Sequence, residues 1–154
     1  MIQEADTLKK TGAQLMVVGV AKVDRKRLEI IASEPDDIFI AEDYEELQDF
    51  SHRVKRRTCE IAPQFQSADD ILILVDSSSS ITADDYDKEL EFVVSLTECF
   101  NIGPQAAKFS VVIFSSMIQL VCDFNVSTHR QIKEAVMAAP HLSQSTDTAA
   151  ALRK

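Results

Sequence analysis

The chain has 154 residues, of which 45% are apolar, 27% charged and only 6% aromatic, a composition that suits one domain or parts of two. It excludes collagen repeats and extended disorder, and no apolar run approaches the ~20 residues needed to cross a bilayer. The formal net charge is −9, with 16 Lys and Arg against 25 Asp and Glu, so electrostatics oppose binding to nucleic acid or an anionic membrane.

The first section of the chain, residues 1–61, alternates predicted helices and strands. Gly12 ends the first helix, Asp24 caps the second and Pro35 ends it. The last helix carries apolar residues at helical spacing, so we expect it to cover a small sheet. The predicted elements are a helix at 3–11, a strand at 14–20, a helix at 25–32, a strand at 38–40 and a helix at 45–59.

Residues 62–68 show no periodicity and include a proline, which predicts a linker. The alternation of elements restarts in the second section, residues 69–154. The predicted elements are a strand at 71–75, a helix from Thr82 or Ala83 to Phe100, a hairpin of strands at 109–114 and 117–124, a helix capped by Ser127 or Thr128 that runs to Ala138, and a helix at 148–154.

Strands that alternate with helices predict an α/β fold with three layers and a mostly parallel sheet, in which ligands bind beyond the carboxyl ends of the strands. The first such end in the second section carries Asp76, Ser78 and Ser80 in one loop. One carboxylate with several hydroxyls suits a hard divalent cation such as Mg²⁺. Taken alone, a four-serine run is more typical of a loop that caps a helix.

The loop resembles the start of the von Willebrand factor type A (vWA) domain, whose metal-ion-dependent adhesion site begins Asp-x-Ser-x-Ser, here Asp76, Ser78 and Ser80. Residues 145–152 resemble the later Thr-containing segment of that domain, and by this resemblance Thr146 also contributes to the metal site. The resemblance implies Mg²⁺, or else Mn²⁺ or Ca²⁺, with a partner's carboxylate completing the coordination.

The first section resembles the end of the same kind of domain, so the two parts stand in reversed order. The simplest account is the carboxyl-terminal part of one vWA unit (1–61), a linker (62–68) and the amino-terminal part of a second unit (69–154). A circular permutation is the alternative. The fourth strand of the family, and the aspartate that follows it as a second carboxylate, have no counterpart in either section, so we expect weakened metal binding.

The resemblance implies a secreted, non-enzymatic binding module of a tandem-array matrix protein, like collagen VI or the matrilins. Matrix or cell-surface proteins, collagens among them, and neighbouring vWA domains are the expected partners. Asn125 begins a glycosylation acceptor pattern that fits secretion. The sequence carries no Gly-x-Ser-x-Gly nucleophile motif. Two alternatives stay open: a structural spacer or self-association module that uses no metal, and an intracellular vWA scaffold.

The cysteines, the histidines and a basic cluster are interpreted as structural or solvent-exposed residues and not as site residues. An odd number of cysteines with no close pair argues against a self-contained disulfide framework and a Cys-rich zinc site. Burial as small apolar residues is therefore expected for Cys59, Cys99 and Cys122, with pairing to an upstream cysteine left open for Cys59. Solvent exposure is expected for His52, His129, His141 and the basic cluster Arg53, Lys55, Arg56 and Arg57.

Overall fold

The computed structural model describes residues 2–61, 70–98, 100–126 and 128–153. The first section contains α1 (Ile2–Lys10), β1 (Val17–Val20), α2 (Arg25–Ile31), β2 (Ile38–Ala41) and α3 (Tyr44–Ile61). The second section contains β3 (Asp70–Asp76), α4 (Ala83–Thr97), β4 (Lys108–Phe114), β5 (Ile118–Cys122), α5 (His129–Met137) and α6 (Thr148–Arg153). No helix within these ranges combines the length and apolarity required to span a membrane.

The observed order of helices and strands confirms the predicted α/β class. Side-chain oxygens of Asp24, Thr82 and Thr128 accept backbone N–H groups at the starts of α2, α4 and α5. The predicted linker, Cys99 and Ser127 lie outside the described residues. β1 begins three residues later than predicted because Leu15 exchanges hydrogen bonds with Ser33, in the loop after α2.

The strands form two sheets. β1 and β2 pair in parallel, whereas β3 pairs in parallel with β4, which pairs antiparallel with β5 as the predicted hairpin. Among the described residues, β3 has a ladder partner on one side only.

A hydrophobic core lies between the three-stranded sheet and helices α4 and α5. Alternate residues of β3 and β4 face it in register, for example Val75 beside Ile113. The largest side chains from the helices are Tyr86, Leu90 and Ile132, each at most 2% exposed. Cys122 is a buried free thiol in the same core, as predicted, and burial raises its pKa.

Helix α3 joins the two sections. Its Leu47 and Val54 pack with Phe39 of β2, and Phe92 of α4 belongs to the same cluster. The sequence predicted the contact of α3 with the small sheet but not its contact with α4. On the solvent side of the helix pair, the Nζ atom of Lys88 lies 2.7 Å from Oε1 of Glu45. The first and second sections therefore share one core.

The predicted exposure of Arg57 in α3 is wrong. Arg57 donates to the fully buried carboxylate of Asp37 at 3.1 Å, so it is an anchor of α3 rather than a solvated charge. Gln14 donates to the other oxygen of Asp37 at 3.0 Å, which leaves that buried carboxylate satisfied. His129 is exposed, as predicted, and its Nε2 also contacts the carbonyl of Thr97 at 3.1 Å, linking α5 to the end of α4.

We expect Leu47→Ala to lower the free energy of unfolding by about 3 kcal/mol, because it opens a cavity in the cluster that joins the sections. Met137→Ala is the control, since this side chain at the end of α5 is 41% exposed. Urea denaturation followed by circular dichroism measures both variants. Equal losses would contradict the shared core.

Candidate functional site

Three loops meet at the carboxyl ends of β3 and β4. They are residues 76–80, which begin with the last residue of β3, residues 115–116 after β4 and residues 140–147 before α6. The N–H of Ser77 donates to the carbonyl of Phe114 at 2.7 Å, which extends the β3–β4 ladder into the first loop. Parallel strands bring such loops to one edge of the sheet, where ligands commonly bind.

Ser77 ties the first loop to the third. Its buried hydroxyl accepts the N–H of Leu142 at 2.7 Å and lies 3.4 Å from the carbonyl oxygen of Pro140. The backbone carbonyl of Ser77 also accepts the N–H of Ser143 at 2.9 Å. Because buried polar groups require partners, this serine links two segments separated by more than sixty residues.

Three of the four predicted metal ligands lie together in the first loop. The N–H of Ser78 donates to Oδ1 of Asp76 at 2.9 Å, so the carboxylate is folded back over its own loop. The hydroxyl oxygens of Ser78 and Ser80 are 3.1 Å apart. One carboxylate and two hydroxyls thus share a small region at the end of β3.

The fourth predicted ligand, Thr146, is exposed in the third loop, and both of its flanks are fixed. On one side, the carbonyl of Gln144 accepts the N–H of Ser79 at 2.8 Å. On the other side, the N–H of Asp147 donates to the carbonyl of Ser115 at 3.0 Å. The segment that carries Thr146 therefore lies along the same edge as Asp76, and their joint role in metal binding stays a prediction.

The donor chemistry of this edge is one carboxylate with hydroxyls. Within the described ranges, no group of three or more His, Cys, Asp or Glu side chains is arranged to hold a metal ion. A transition-metal site rich in nitrogen or sulfur is therefore not formed by these residues. A loosely held, oxygen-ligated ion is the kind of cation that the hydroxyl-rich set suits.

His141 supports the first loop from outside the ligand set. Its ring stacks on Tyr86 with centroids 4.7 Å apart, and its Nε2 lies 3.1 Å from the carbonyl oxygen of Ser78. The hydroxyl of Tyr86 donates to the carbonyl of Pro140 at 3.2 Å. The predicted exposure of His141 is thus wrong. Its contact with Tyr86 was not predicted because the two residues are far apart along the chain.

Glu89 is a second acidic group near this edge, and the sequence did not single it out. Its Oε2 atom is out of contact with solvent and has no hydrogen-bond partner among the described residues. Burial chiefly, and then the negative charge of Asp76, raise the pKa of Glu89 to about 8, although a hydrogen bond from Tyr44 opposes the shift. One feature of the sequence could have indicated this burial. Glu89 lies in α4 between Tyr86 and Val93, which are both on the apolar line of the helix.

The predicted glycosylation site lies at an exposed turn. The side-chain amide of Asn125 donates to Oδ2 of Asp123 at 3.1 Å, and Asn125 is exposed. Ser127, the third residue of the acceptor pattern, lies outside the described residues. Glycosylation of Asn125 stays a prediction.

Comparison with known proteins identifies relatives of this chain. The family model of the von Willebrand factor type A domain matches residues 1–53 and 70–154. The human collagen alpha-6(VI) chain is 26% identical over 153 residues, which cover 99% of this chain and 7% of that protein. Human matrilin-1 is 21% identical over 189 residues, covering 93% of this chain and 38% of matrilin-1. The chain thus spans only a minor part of these relatives.

The fold is also found among solved structures. Proximal thread matrix protein 1 from the mussel byssus aligns with a TM-score of 0.50 and 22% identity, covering 94% of this chain and 39% of that protein. A second structure of the mussel protein, described as having a zinc-occupied MIDAS motif, aligns with a TM-score of 0.49. The first alignment shows a common fold.

We expect the stability of the chain to fall as the pH rises from about 4.5 to about 8, because the folded chain keeps the proton on Glu89 after the unfolded chain has lost it. This group contributes a slope of up to about 1.4 kcal/mol per pH unit in that window. Glu89→Gln, which has no ionisable group, should flatten the slope and raise stability at pH 8.

Urea denaturation at pH 5, 6, 7 and 8 measures the effect. Asp87→Asn is the matched control, since Asp87 is an exposed carboxylate on the same helix, and it should leave the slope unchanged. A Glu89→Gln variant whose stability follows pH as steeply as the parent chain would show that this carboxyl group is not perturbed.

Proposed function

Because the chain belongs to the von Willebrand factor type A domain family, we propose that it is a protein-binding module of an extracellular matrix or cell-adhesion protein, acting through a divalent cation. The observation that carries the proposal is the convergence of loops 76–80 and 140–147 through the buried hydroxyl of Ser77. This convergence brings the loop that carries Thr146 to the edge where Asp76, Ser78 and Ser80 lie.

The side chains present fit a hard divalent cation. Asp76, Ser78, Ser80 and Thr146 would hold it, with Asp76 as the charged ligand and neutral hydroxyls as the others. Mg²⁺, Mn²⁺ or Ca²⁺ bound there would supply an open coordination position for a carboxylate of the partner protein. Because hydroxyl ligands carry no charge, this donor set cancels only one of the ion's two positive charges and leaves the other available to an acidic partner.

The residues that support the first loop each make a different contact. Ser77 and His141 hold the shape of the loop around the hydroxyls, since one contacts the third loop and the other the carbonyl of Ser78. Tyr86 supports His141 by ring stacking. None of these tasks involves bond-making or bond-breaking, and the relatives are named as collagen chains and matrilins.

The domain organisation belongs to the same proposal. The chain holds the carboxyl-terminal part of one unit in residues 1–61 and the amino-terminal part of the next in residues 69–154, joined by the linker 62–68. The two stretches matched by the family model flank this linker. Continuous similarity to a collagen VI chain over 99% of this chain supports a tandem array over a circular permutation. The proposal includes a secreted location in the extracellular matrix, which similarity to collagen VI chains and matrilins supports.

We expect Asp76→Ala to weaken Mg²⁺ binding by about tenfold or more, because loss of a direct carboxylate ligand should cost at least as much as loss of a supporting residue. Isothermal titration calorimetry with Mg²⁺ measures the affinity. Asp87→Asn removes the same charge at an exposed position of α4 and should bind as the parent chain does.

A second assay uses immobilised collagen as the probe, in Mg²⁺ and in a chelator. Binding that requires Mg²⁺ and is lost in Asp76→Ala supports the proposal. Collagen binding or self-association that ignores both the chelator and the substitution would favour the metal-independent spacer instead.

A further inference from the structure

We propose that Met117 forms an apolar contact beside the cation site, and that the partner therefore carries an apolar side chain about three residues from the carboxylate that binds the cation. This inference rests on the proposed function, since it requires a partner carboxylate at a cation held by Asp76. It adds a specificity-determining residue from the turn between β4 and β5, a segment on which no predicted ligand lies.

Met117 is an exposed apolar residue in a turn whose backbone is fixed. The residue is 53% exposed. Its carbonyl accepts the N–H of Ser115 at 2.8 Å, and its own N–H donates to the hydroxyl of Ser115 at 3.3 Å. Ser115 is fully buried. Since both backbone groups of Met117 are hydrogen-bonded to a buried residue, its backbone position is fixed although its side chain is open to solvent.

The same turn is hydrogen-bonded to the third loop of the candidate site. The carbonyl of Ser115 accepts the N–H of Asp147 at 3.0 Å, and the hydroxyl of Ser116 donates to Oε1 of Gln144 at 2.6 Å. Thr146 lies in the chain between these two anchored residues of the third loop. The turn therefore belongs to the same bonded set of loops as the predicted ligands, and not to a separate part of the surface.

The register of the sheet gives the distance from this turn to the cation edge. Asp76 pairs with Phe114 of β4, and Phe114 pairs with Ile118 of β5. Two strand spacings of about 4.8 Å place the backbone of Ile118 about 10 Å from that of Asp76. Met117 directly precedes Ile118. An extended peptide advances about 3.3 Å per residue, so this distance corresponds to about three residues of a bound partner.

The two contacts differ in chemistry, and this difference is the basis of specificity. A bound cation attracts any accessible carboxylate, whereas an exposed methionine gains free energy by removing apolar surface of a partner from water. Because the methionine side chain is unbranched and flexible, it adapts to aliphatic and aromatic side chains alike. The partner that fits is thus an extended segment of a matrix protein with an acidic and an apolar residue about three positions apart.

The first test measures binding of Met117→Ser to immobilised collagen in Mg²⁺, using the 154-residue chain. We expect binding to weaken about fivefold, because burial of the exposed half of a methionine contributes about 1 kcal/mol. Met117→Leu keeps an apolar side chain of similar volume and should bind within about twofold of the parent. Met137→Ser is the matched control, since Met137 is 41% exposed at the end of α5, and it should bind as the parent does.

The second test changes the partner. Two synthetic peptides of glycine and serine each carry one glutamate, and one of them has leucine three residues from the glutamate where the other has serine. In Mg²⁺ the parent chain should bind the leucine peptide about fivefold more tightly. Met117→Ser should lose this preference, because the two changes remove the same contact.

Mg²⁺ affinity and melting temperature are measured for the same variant. Both should equal those of the parent chain, because Met117 supplies no oxygen ligand and its side chain is largely outside the core. If Met117→Ser loses Mg²⁺ affinity or melts at a lower temperature, its role is structural and the inference is wrong.

Three further results would overturn the inference. If Met117→Ser binds collagen as the parent does while Asp76→Ala does not bind, Met117 has no part in recognition and the proposed function stands. If the parent chain binds both peptides equally, the assigned chemistry of the partner is wrong. If collagen binding ignores both Mg²⁺ and the Asp76→Ala substitution, the proposed function fails and this inference fails with it.

Discussion

The arrangement at the candidate site depends on the hydrogen bonds between the loop after β3 and the loop before α6. Residues 76–80 and residues 140–147 belong to segments far apart in the chain, and apart from Asp76, the last residue of β3, neither range lies in a helix or strand. The Ser77 hydroxyl, the Ser77 carbonyl and the Ser79 N–H each bond to the third loop. Without these bonds, the loop that carries Thr146 would have no fixed position relative to the loop that begins at Asp76.

The contact between α3 and α4 sets the electrostatics of that edge. Packing of Leu47 and Val54 against Phe92 draws the start of α3 toward the middle of α4. Tyr44, the first residue of α3, thereby reaches Glu89 and contributes a hydrogen bond to its carboxyl group. The Oε2 atom of Glu89 is out of contact with solvent, and this burial together with the charge of Asp76 favours the protonated form of the carboxyl group. Apolar packing between the two sections thus contributes to the raised pKa of Glu89.

Much of the fold could be predicted because its signals are local. Apolar runs predicted the strands, and the oxygen-bearing caps Asp24, Thr82 and Thr128 marked the starts of three helices. Gly12 ends α1 in the left-handed region with φ of 89°, a conformation that glycine adopts at low cost. The Asp-x-Ser-x-Ser spacing likewise places three oxygen donors in one loop without any tertiary information.

The features that the sequence did not predict depend on contacts between distant residues. His141 and Arg57 looked like solvated side chains, but each has a partner from another element, Tyr86 and Asp37 respectively. Glu89 looked like one of many acidic residues on an amphipathic helix, and its burial follows from α3, which comes from the other section. Local periodicity carries no information about which helix covers which face, so these interactions became visible only in the folded chain.

The most direct measurement is anomalous diffraction from crystals of the chain grown with Mn²⁺. The account predicts one anomalous peak at the carboxyl edge of β3, within coordinating distance of Asp76, Ser78 and Ser80 and facing the Thr146 hydroxyl. A peak elsewhere, or a Thr146 hydroxyl turned to another side of the molecule while Mn²⁺ occupies the edge, would contradict it.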